Sequence, residues 1–409
     1  MTDRERSREA PPLEGVRVID LSRVLAGPYC TMLLADLGAD VVKVERPPVG
    51  DETRTWGPPY LGGESAYYLS VNRSKRSCAI DAAEPAGRQL VLELCESADV
   101  VVENFKPGGA RRLGLASEDL IARNVGLIHC SITGFGSTRE PRDRPGYDFI
   151  AQAESGLMSI TGFEDGPPTK VGVAVVDVLA GLHAAAAILA ALHRRVDTGR
   201  GARIEVPLLD SALAGLVNVA ANALATGEEP ARHGNAHPNI VPYQSFDTAD
   251  GRVAVAAGND VLYGKLCEVI GRGELAHDER FRRNEERVVN RGALIPELQA
   301  AFRERTAEEW VSALEAAGVP AGKIRRVGEA LHAAADAGKA ATVELAHPTA
   351  GEIELVASPI EASSPLRAPT PPPLLGEHTA EVLAELDRTE DEIGGLERDG
   401  VIALGGAGR

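Results

Sequence analysis

The chain of 409 residues is short of several things, and each shortage removes a class of function. Basic residues are too few: 43 Lys and Arg stand against 60 Asp and Glu, a formal net charge of -17. Such a chain is poorly suited to nucleic acid or an anionic membrane, although a local basic cluster can still hold an anionic ligand. Cysteine is scarce and unpaired. Cys30, Cys78, Cys95, Cys130 and Cys267 are odd in number, widely spaced and without a CxxC pair. That predicts reduced thiols in the cytoplasm and argues against a disulfide framework or a zinc site. His237 and His378 have no ligand-spaced partner, so no metal is expected. Met1 to Pro12 lacks the apolar core of a signal peptide. The longest apolar stretch, Val178 to Leu192, is short and Ala-rich for a bilayer span and reads as a buried helix. The first turn after the first strand, Leu21 to Gly27, has no GxGxxG. Glu45 stands where an NAD enzyme holds its ribose acid, but no pyrophosphate site is signalled.

What is present is an alternation of strand and helix. Val16–Leu21 reads as a strand, Tyr29–Leu37 as a helix closed by Gly38, and Asp40–Glu45 as the next strand. That βαβ unit predicts an α/β fold with a parallel, doubly wound sheet. The pattern continues through a helix over Pro85–Ala98 and strands over Asp99–Glu103, Leu127–Ile132 and Ile204–Pro207. Val171–Val176 reads as a further short strand running directly into a helix over Val178–His193, and Leu209–Thr226 as one small-residue helix. A hairpin is expected around Asp250-Gly251, a capping box at Thr306–Glu309, a strand over Glu352–Val356 and a last helix over Thr379–Leu386. The expected division is a large domain beginning over 1–200, a linker helix region over 201–225, a small domain over 226–325 and a return of 326–409 to the large domain.

Asp177 falls between an apolar strand and an apolar helix. Asp is a good N-cap there. The same position, at a strand's carboxyl end in a doubly wound fold, faces the ligand crevice, where a helix N-terminus keeps a carboxylate ionised and nucleophilic. Residue chemistry leaves both readings open. Arg46, just past the Asp40–Glu45 strand, lies at the ligand edge and could meet a phosphate, but residue chemistry alone favours a solvated side chain. Tyr147 and the Gly-rich Thr133–Ser137 carry no specific signal.

Six stretches, Pro12–Asp20, Leu25–Pro28, Leu34–Pro47, Asn72–Ser77, Glu103–Gly108 and Leu374–Thr379, resemble in order and spacing the family III CoA-transferases, the formyl-CoA and carnitine CoA-transferase group. The resemblance runs nearly end to end. It implies a large Rossmann-like domain built from both chain ends, a smaller α+β domain, and an interlocked homodimer. It implies that Asp177 is the nucleophile, and that CoA or acyl-CoA is a substrate and no cofactor is tightly bound. CoA contacts carried over from the family fall on Leu25, Ala26, Arg46, Ile80, Asp81, Ala82, Ala83, Asn104, Phe105, Lys106, Arg112, Pro145, Gly146, Tyr147 and Asp148. A basic residue of some members is Pro145 here, with Arg144 beside it. The implied reaction moves CoA from an acyl-CoA donor to a carboxylic acid through an aspartyl-CoA thioester. The stretch Gly234–Gln244 is similar to members that use succinyl-CoA and C4 to C6 diacids. Two alternatives remain: an α-methylacyl-CoA racemase, which uses a His where this chain has Tyr147, and a non-catalytic acyl-CoA-binding protein.

Overall fold

The computed structural model describes residues 10–139, 144–338 and 341–405. They form two compact units, one drawn from Met1–Leu157, Val171–Ala221 and Ala340–Arg409, the other from Met158–Lys170 and Asn222–Lys339.

The first unit is built on one sheet. Its strands are β1 (Arg17–Asp20), β2 (Asp40–Glu45), β3 (Lys75–Ile80), β4 (Val100–Glu103), β5 (Ile128–Thr133) and β6 (Ala202–Pro207), closed by the two-residue strand Ile402–Ala403. The order across the sheet is Ile402–Ala403, β3, β2, β1, β4, β5, β6. All pairs are parallel except the closing strand, which runs antiparallel to β3 and sets Ile402 opposite Ile80. The inner strands are runs of Val and Ile because helices cover both faces. In β1 the period of two sends Val18 to one core cluster and Ile19 to the other. On the Val18 face lie α1 (Ala26–Asp36), α2 (Asp148–Glu154) and α3 (Val175–Thr198), with Leu208 and Ala212 of the helix Leu208–Gly215. On the Ile19 face lie the helix Pro85–Glu96 and the chain's end, which contributes Val382, Leu383, Ile393 and Val401.

The chain steps outward from β1 to β2 and β3, then returns to place β4 on the other side of β1. This reversal leaves a crevice between the carboxyl ends of β1 and β4, where open α/β sheets bind ligands.

Three expected elements differ. The α1 helix begins at Ala26, because Pro28 sits in the first turn, where a missing N–H costs nothing. No strand forms over Val171–Val176, and α3 starts at Val175. The 24-residue α3 is longer than its apolar run. By length and composition it could cross a membrane, yet Val176, Ala180, Ala184 and Ile188 are buried in the sheet's core, as in a core helix. Lastly, Leu209–Thr226 is two helices, Leu208–Gly215 and Val217–Thr226, bent by 77° where Val217 takes a φ of 43°.

The second unit carries a three-stranded antiparallel sheet of Tyr243–Asp247, Arg252–Ala256 and Ala321–Lys323. Behind it Phe246 stacks on Phe302, and the buried Trp310 donates its indole N–H to the Phe302 carbonyl at 2.8 Å. The Thr306–Glu309 capping box opens the helix that carries Trp310.

Candidate active site

Two clefts meet at the crevice beyond β1 and β4. One, of about 310 Å3, is lined by Val24, Leu25, Ala26, Thr133, Gly134, Gly146, Tyr147 and Asp177. The other, of about 590 Å3, is lined by Arg46, Pro47, Ile80, Asp81, Ala82 and Ala83. Arg23, Glu52 and Phe105 line both, so they mark the junction. A long ligand with an anionic head and a narrow reactive arm matches that plan.

Asp177 is the third residue of α3. It is not the N-cap; that position is Ala174, which makes no capping bond. Asp148, from α2, does the capping instead. Its Oδ1 accepts the Val176 N–H at 2.8 Å, and its Oδ2 accepts from Gln152 Nε2 at 2.7 Å. Gln152 is fully buried and its Oε1 accepts the Val171 N–H at 2.9 Å. The segment that reads as a strand therefore has its first and last amides, those of Val171 and Val176, on side chains of α2. The Asp177 carboxyl is consequently left to the cleft. Burial, reinforced by the Asp148 carboxylate, pushes it from 3.8 up to about 7. The expectation that the helix end keeps it fully ionised is corrected: the positive end of α3 acts in the opposite sense, but desolvation and a like charge prevail. Tyr67 shares this corner, and burial with Asp177 and Asp148 nearby pushes its phenol up to about 12.

Close backbone approach shapes the walls. Gly181, one turn beyond Asp177 on the same face of α3, abuts α1: a Cβ there would lie 2.7 Å from the Ala26 carbonyl oxygen. Gly134 and Gly146 touch backbone to backbone, and a Cβ on Gly134 would lie 2.6 Å from the Gly146 Cα. The Gly-rich loop after β5 thus has a reason beyond turning the chain.

Beneath the clefts lies a buried ionic layer. Lys43 bridges the Ser22 carbonyl and Asp51, each at 2.8 Å, and Lys75 reaches Asp20 at 3.1 Å. Burial opposes the ionised form of Asp51, but Lys43 outweighs it and brings the carboxyl down to about 2. Glu45, the candidate ribose acid of a dinucleotide site, is buried and held by Arg54 through two bonds at 2.8 Å, with Ser77 Oγ donating at 2.7 Å. It is occupied structurally and has no lone pair aimed at a ribose.

The candidate CoA contacts separate by place. Leu25, Ala26, Asn104, Phe105, Lys106, Pro145, Gly146 and Tyr147 line the cleft that holds Asp177, as does Arg144. Arg46, Ile80, Asp81, Ala82 and Ala83 line the other, where Arg46 is exposed and pairs with Asp81 at 3.2 Å. Asp148 is buried behind the site as the cap of α3. Arg112 ends a four-residue helix, is exposed, and lines neither cleft. Sequence reading missed Arg23, Glu52 and Tyr67, and set Thr133 aside as part of a loop without a specific signal. For Arg23 the available signal was position: it follows the end of β1, where the sheet order reverses.

Comparison with known proteins places these features. The family model for CoA-transferase family III matches residues 13–379. Succinyl-CoA:glutarate CoA-transferase of Mus musculus is 45% identical over 93% of this chain and 87% of its own length. Succinate–glutarate CoA-transferase of Agrobacterium fabrum is 45% identical over 93% and 97%. The crystal structure of a CAIB/BAIF family protein from Brucella suis superposes with a TM-score of 0.82 at 43% identity, covering 92% of this chain and all of that one.

Proposed function

This chain belongs to CoA-transferase family III and is a CoA-transferase, and from that premise we propose that it moves CoA from succinyl-CoA to a C4 to C6 dicarboxylic acid, with Asp177 as the covalent nucleophile. The observation that carries the reading is the single carboxyl at the inner end of the joined clefts, presented by the first turn of α3. The relatives named for succinyl-CoA with glutarate or mesaconate support the donor and the diacid class.

Four acyl exchanges make up the reaction. The Asp177 carboxylate attacks the donor thioester carbonyl and expels CoA thiolate, giving a mixed anhydride. The thiolate attacks the aspartyl carbonyl, releases the donor acid and leaves an aspartyl-CoA thioester. The acceptor carboxylate attacks that carbonyl, expels the thiolate again and forms a second anhydride. The thiolate then attacks the acceptor's acyl carbonyl, releasing the new acyl-CoA and the Asp177 carboxylate. Each step exchanges bonds of similar energy, and one difficult transfer becomes several easier ones. Main-chain N–H groups at the start of α1, which lines the same cleft as Asp177, would receive the negative charge that develops on the acyl oxygen. Binding of the CoA nucleotide in the larger cleft keeps the thiolate in place between steps. A second copy of the chain completes the assembly, and the five free, buried cysteines suit a reducing cytoplasmic setting.

The test mixes the protein with succinyl-CoA and a panel of free acids (glutarate, mesaconate, citramalate, malate, itaconate, oxalate, formate), and reads new acyl-CoA species by mass spectrometry. Transfer to a diacid by the native protein and none by Asp177→Ala is expected. Transfer to oxalate or formate alone would overturn the diacid assignment. Undiminished transfer by the variant would overturn the nucleophile. Loss of stereochemical purity from a 2-methylacyl-CoA without transfer would point to a racemase.

A further inference from the structure

Three consecutive residues after β1 are each held by a side chain from a different part of the fold. The Ser22 carbonyl accepts from Lys43 of β2 at 2.8 Å. Both backbone polar groups of Arg23 are taken by Asn104, just past β4: Oδ1 accepts the Arg23 N–H at 2.9 Å, and Nδ2 donates to the Arg23 carbonyl at 2.7 Å. The Val24 N–H is shared between the two carboxylate oxygens of the buried Asp51, each at 3.3 Å. Asp51 is itself fixed by Lys43 at 2.8 Å and by the Thr53 N–H at 3.0 Å.

What these grips enforce is unusual. Val24 has a φ of 71°. A β-branched residue in the left-handed region is strained, at a cost of order 1–3 kcal/mol, and persists only where its surroundings over-determine it. The next two residues, Leu25 and Ala26, begin α1 and line the cleft with Asp177. Ala26 is also the residue that Gly181 of α3 abuts. The strained turn therefore sets where the start of α1 lies relative to the nucleophile.

We propose that Asp51 and Asn104 are positioning residues of the transfer reaction, which hold the Ser22–Val24 turn in its strained form so that Leu25 and Ala26 stand at a fixed place beside the acyl group on Asp177. This rests on the reading of Asp177 as nucleophile. It departs from the family-based expectation for Asn104, a direct contact to CoA: the amide is spent on the Arg23 backbone in both directions. The inference separates binding from chemistry. A contact to CoA, once lost, raises KM. A displaced turn lowers kcat, because misplacement by about 1 Å costs on the order of 100-fold in a step that depends on near-attack geometry.

The experiment uses the full chain with Asn104→Ala, Val24→Gly, the double variant, and Asp51→Asn. Kinetics are taken with the donor and acid that the panel identifies, together with Tm and amide hydrogen exchange of the segment 21–30. For Asn104→Ala a 10- to 100-fold fall in kcat is expected, with KM for the acyl-CoA changed less than threefold and faster exchange in 21–30. Val24→Gly removes the clash that strains the turn. It is expected to hold or raise Tm while lowering kcat, and the double variant to fall short of the product of the two losses, because both act through one turn. Asp51→Asn leaves Lys43 unpaired; where it fails to fold, the other variants decide. A rise in KM with kcat kept in Asn104→Ala would overturn the inference in favour of a CoA contact, and so would full kcat in Val24→Gly. If the wild-type chain transfers no CoA, the functional reading fails by itself. Amide exchange then decides this inference: unchanged exchange in Asn104→Ala overturns the grip, and faster exchange confined to 21–30 supports it.

Discussion

On the proposed mechanism two demands oppose each other at Asp177: a carboxylate nucleophile must be ionised to attack, and a cleft that keeps water from an anhydride disfavours the charge. With the carboxyl at about 7, ionisation falls within the working range, so kcat/KM is expected to rise with pH through about 7 and then level off. After burial, Asp148 is the cause of that position. Asp148→Asn keeps an oxygen for the Val176 N–H and removes the like charge, although it loses an acceptor for Gln152. The rising limb is therefore expected to move to lower pH by a measurable fraction of a unit, with some loss of Tm. An unmoved limb in the pH–rate profile would mean that Asp148 does not act on Asp177 electrostatically. The linkage sign is also definite. A carboxyl raised in the folded state favours folding in its protonated form, and that advantage is lost as pH rises through about 7. Asp177→Asn is expected to raise Tm at pH 8 more than at pH 5, an exchange of activity for stability, read by thermal melts at the two pH values.

Among the elements, α3 explains most about what sequence reading reaches. Its apolar residues were legible as a buried helix, and the position of Asp177 near the helix start was legible too. Its cap was not, because the acceptor is Asp148, 28 residues upstream on α2, and no local pattern announces a cap supplied from another helix. For the same reason Val171–Val176 reads as a strand: its composition is β-like, yet its first and last amides bond to side chains of α2 and the Val175 N–H to the Val173 carbonyl. By contrast β2 was legible to the residue, since a Val-rich run between Gly38 and Pro47 has little other choice. The helix Glu390–Arg398 was overlooked although Thr389 and Glu392 form a readable capping box. The packing of α3 on α1 gives a prediction at this scale. Gly181→Val would place a Cβ 2.7 Å from a backbone oxygen that has no rotamer to yield. Overpacking of this kind costs about 1–3 kcal/mol. Because the strain falls on Ala26, transfer activity is expected to drop more than the Tm loss alone accounts for, whereas Gly292→Ala, with open space around it, should change neither. Equal activity in the Gly181 variant and the native enzyme would mean that α1 and α3 adjust independently of the site.

For the whole molecule, packing turns on the outer side of α3. Only part of its apolar surface is buried within the chain. Leu182 is 43% exposed and Val196 84%, and on the adjoining helix Leu213 is 42% exposed. Apolar helix surface of this kind is normally covered, by lipid or by protein. The inner side of α3 is packed into a sheet core, which fixes the helix within a globular unit and favours protein. A second copy of the chain is the partner that the family resemblance implies, and threading two chains through one another would cover helices that neither covers alone. Light scattering on the eluting peak of a sizing column is expected to give twice the 43.1 kDa chain mass, independent of concentration across the micromolar range. Leu182→Glu with Leu213→Glu should shift the chain toward monomer or insoluble material, since a charge buried at such a contact is left without a partner. A native mass of 43.1 kDa would discard the dimer. A native dimer untouched by both charges would place its interface elsewhere on the molecule.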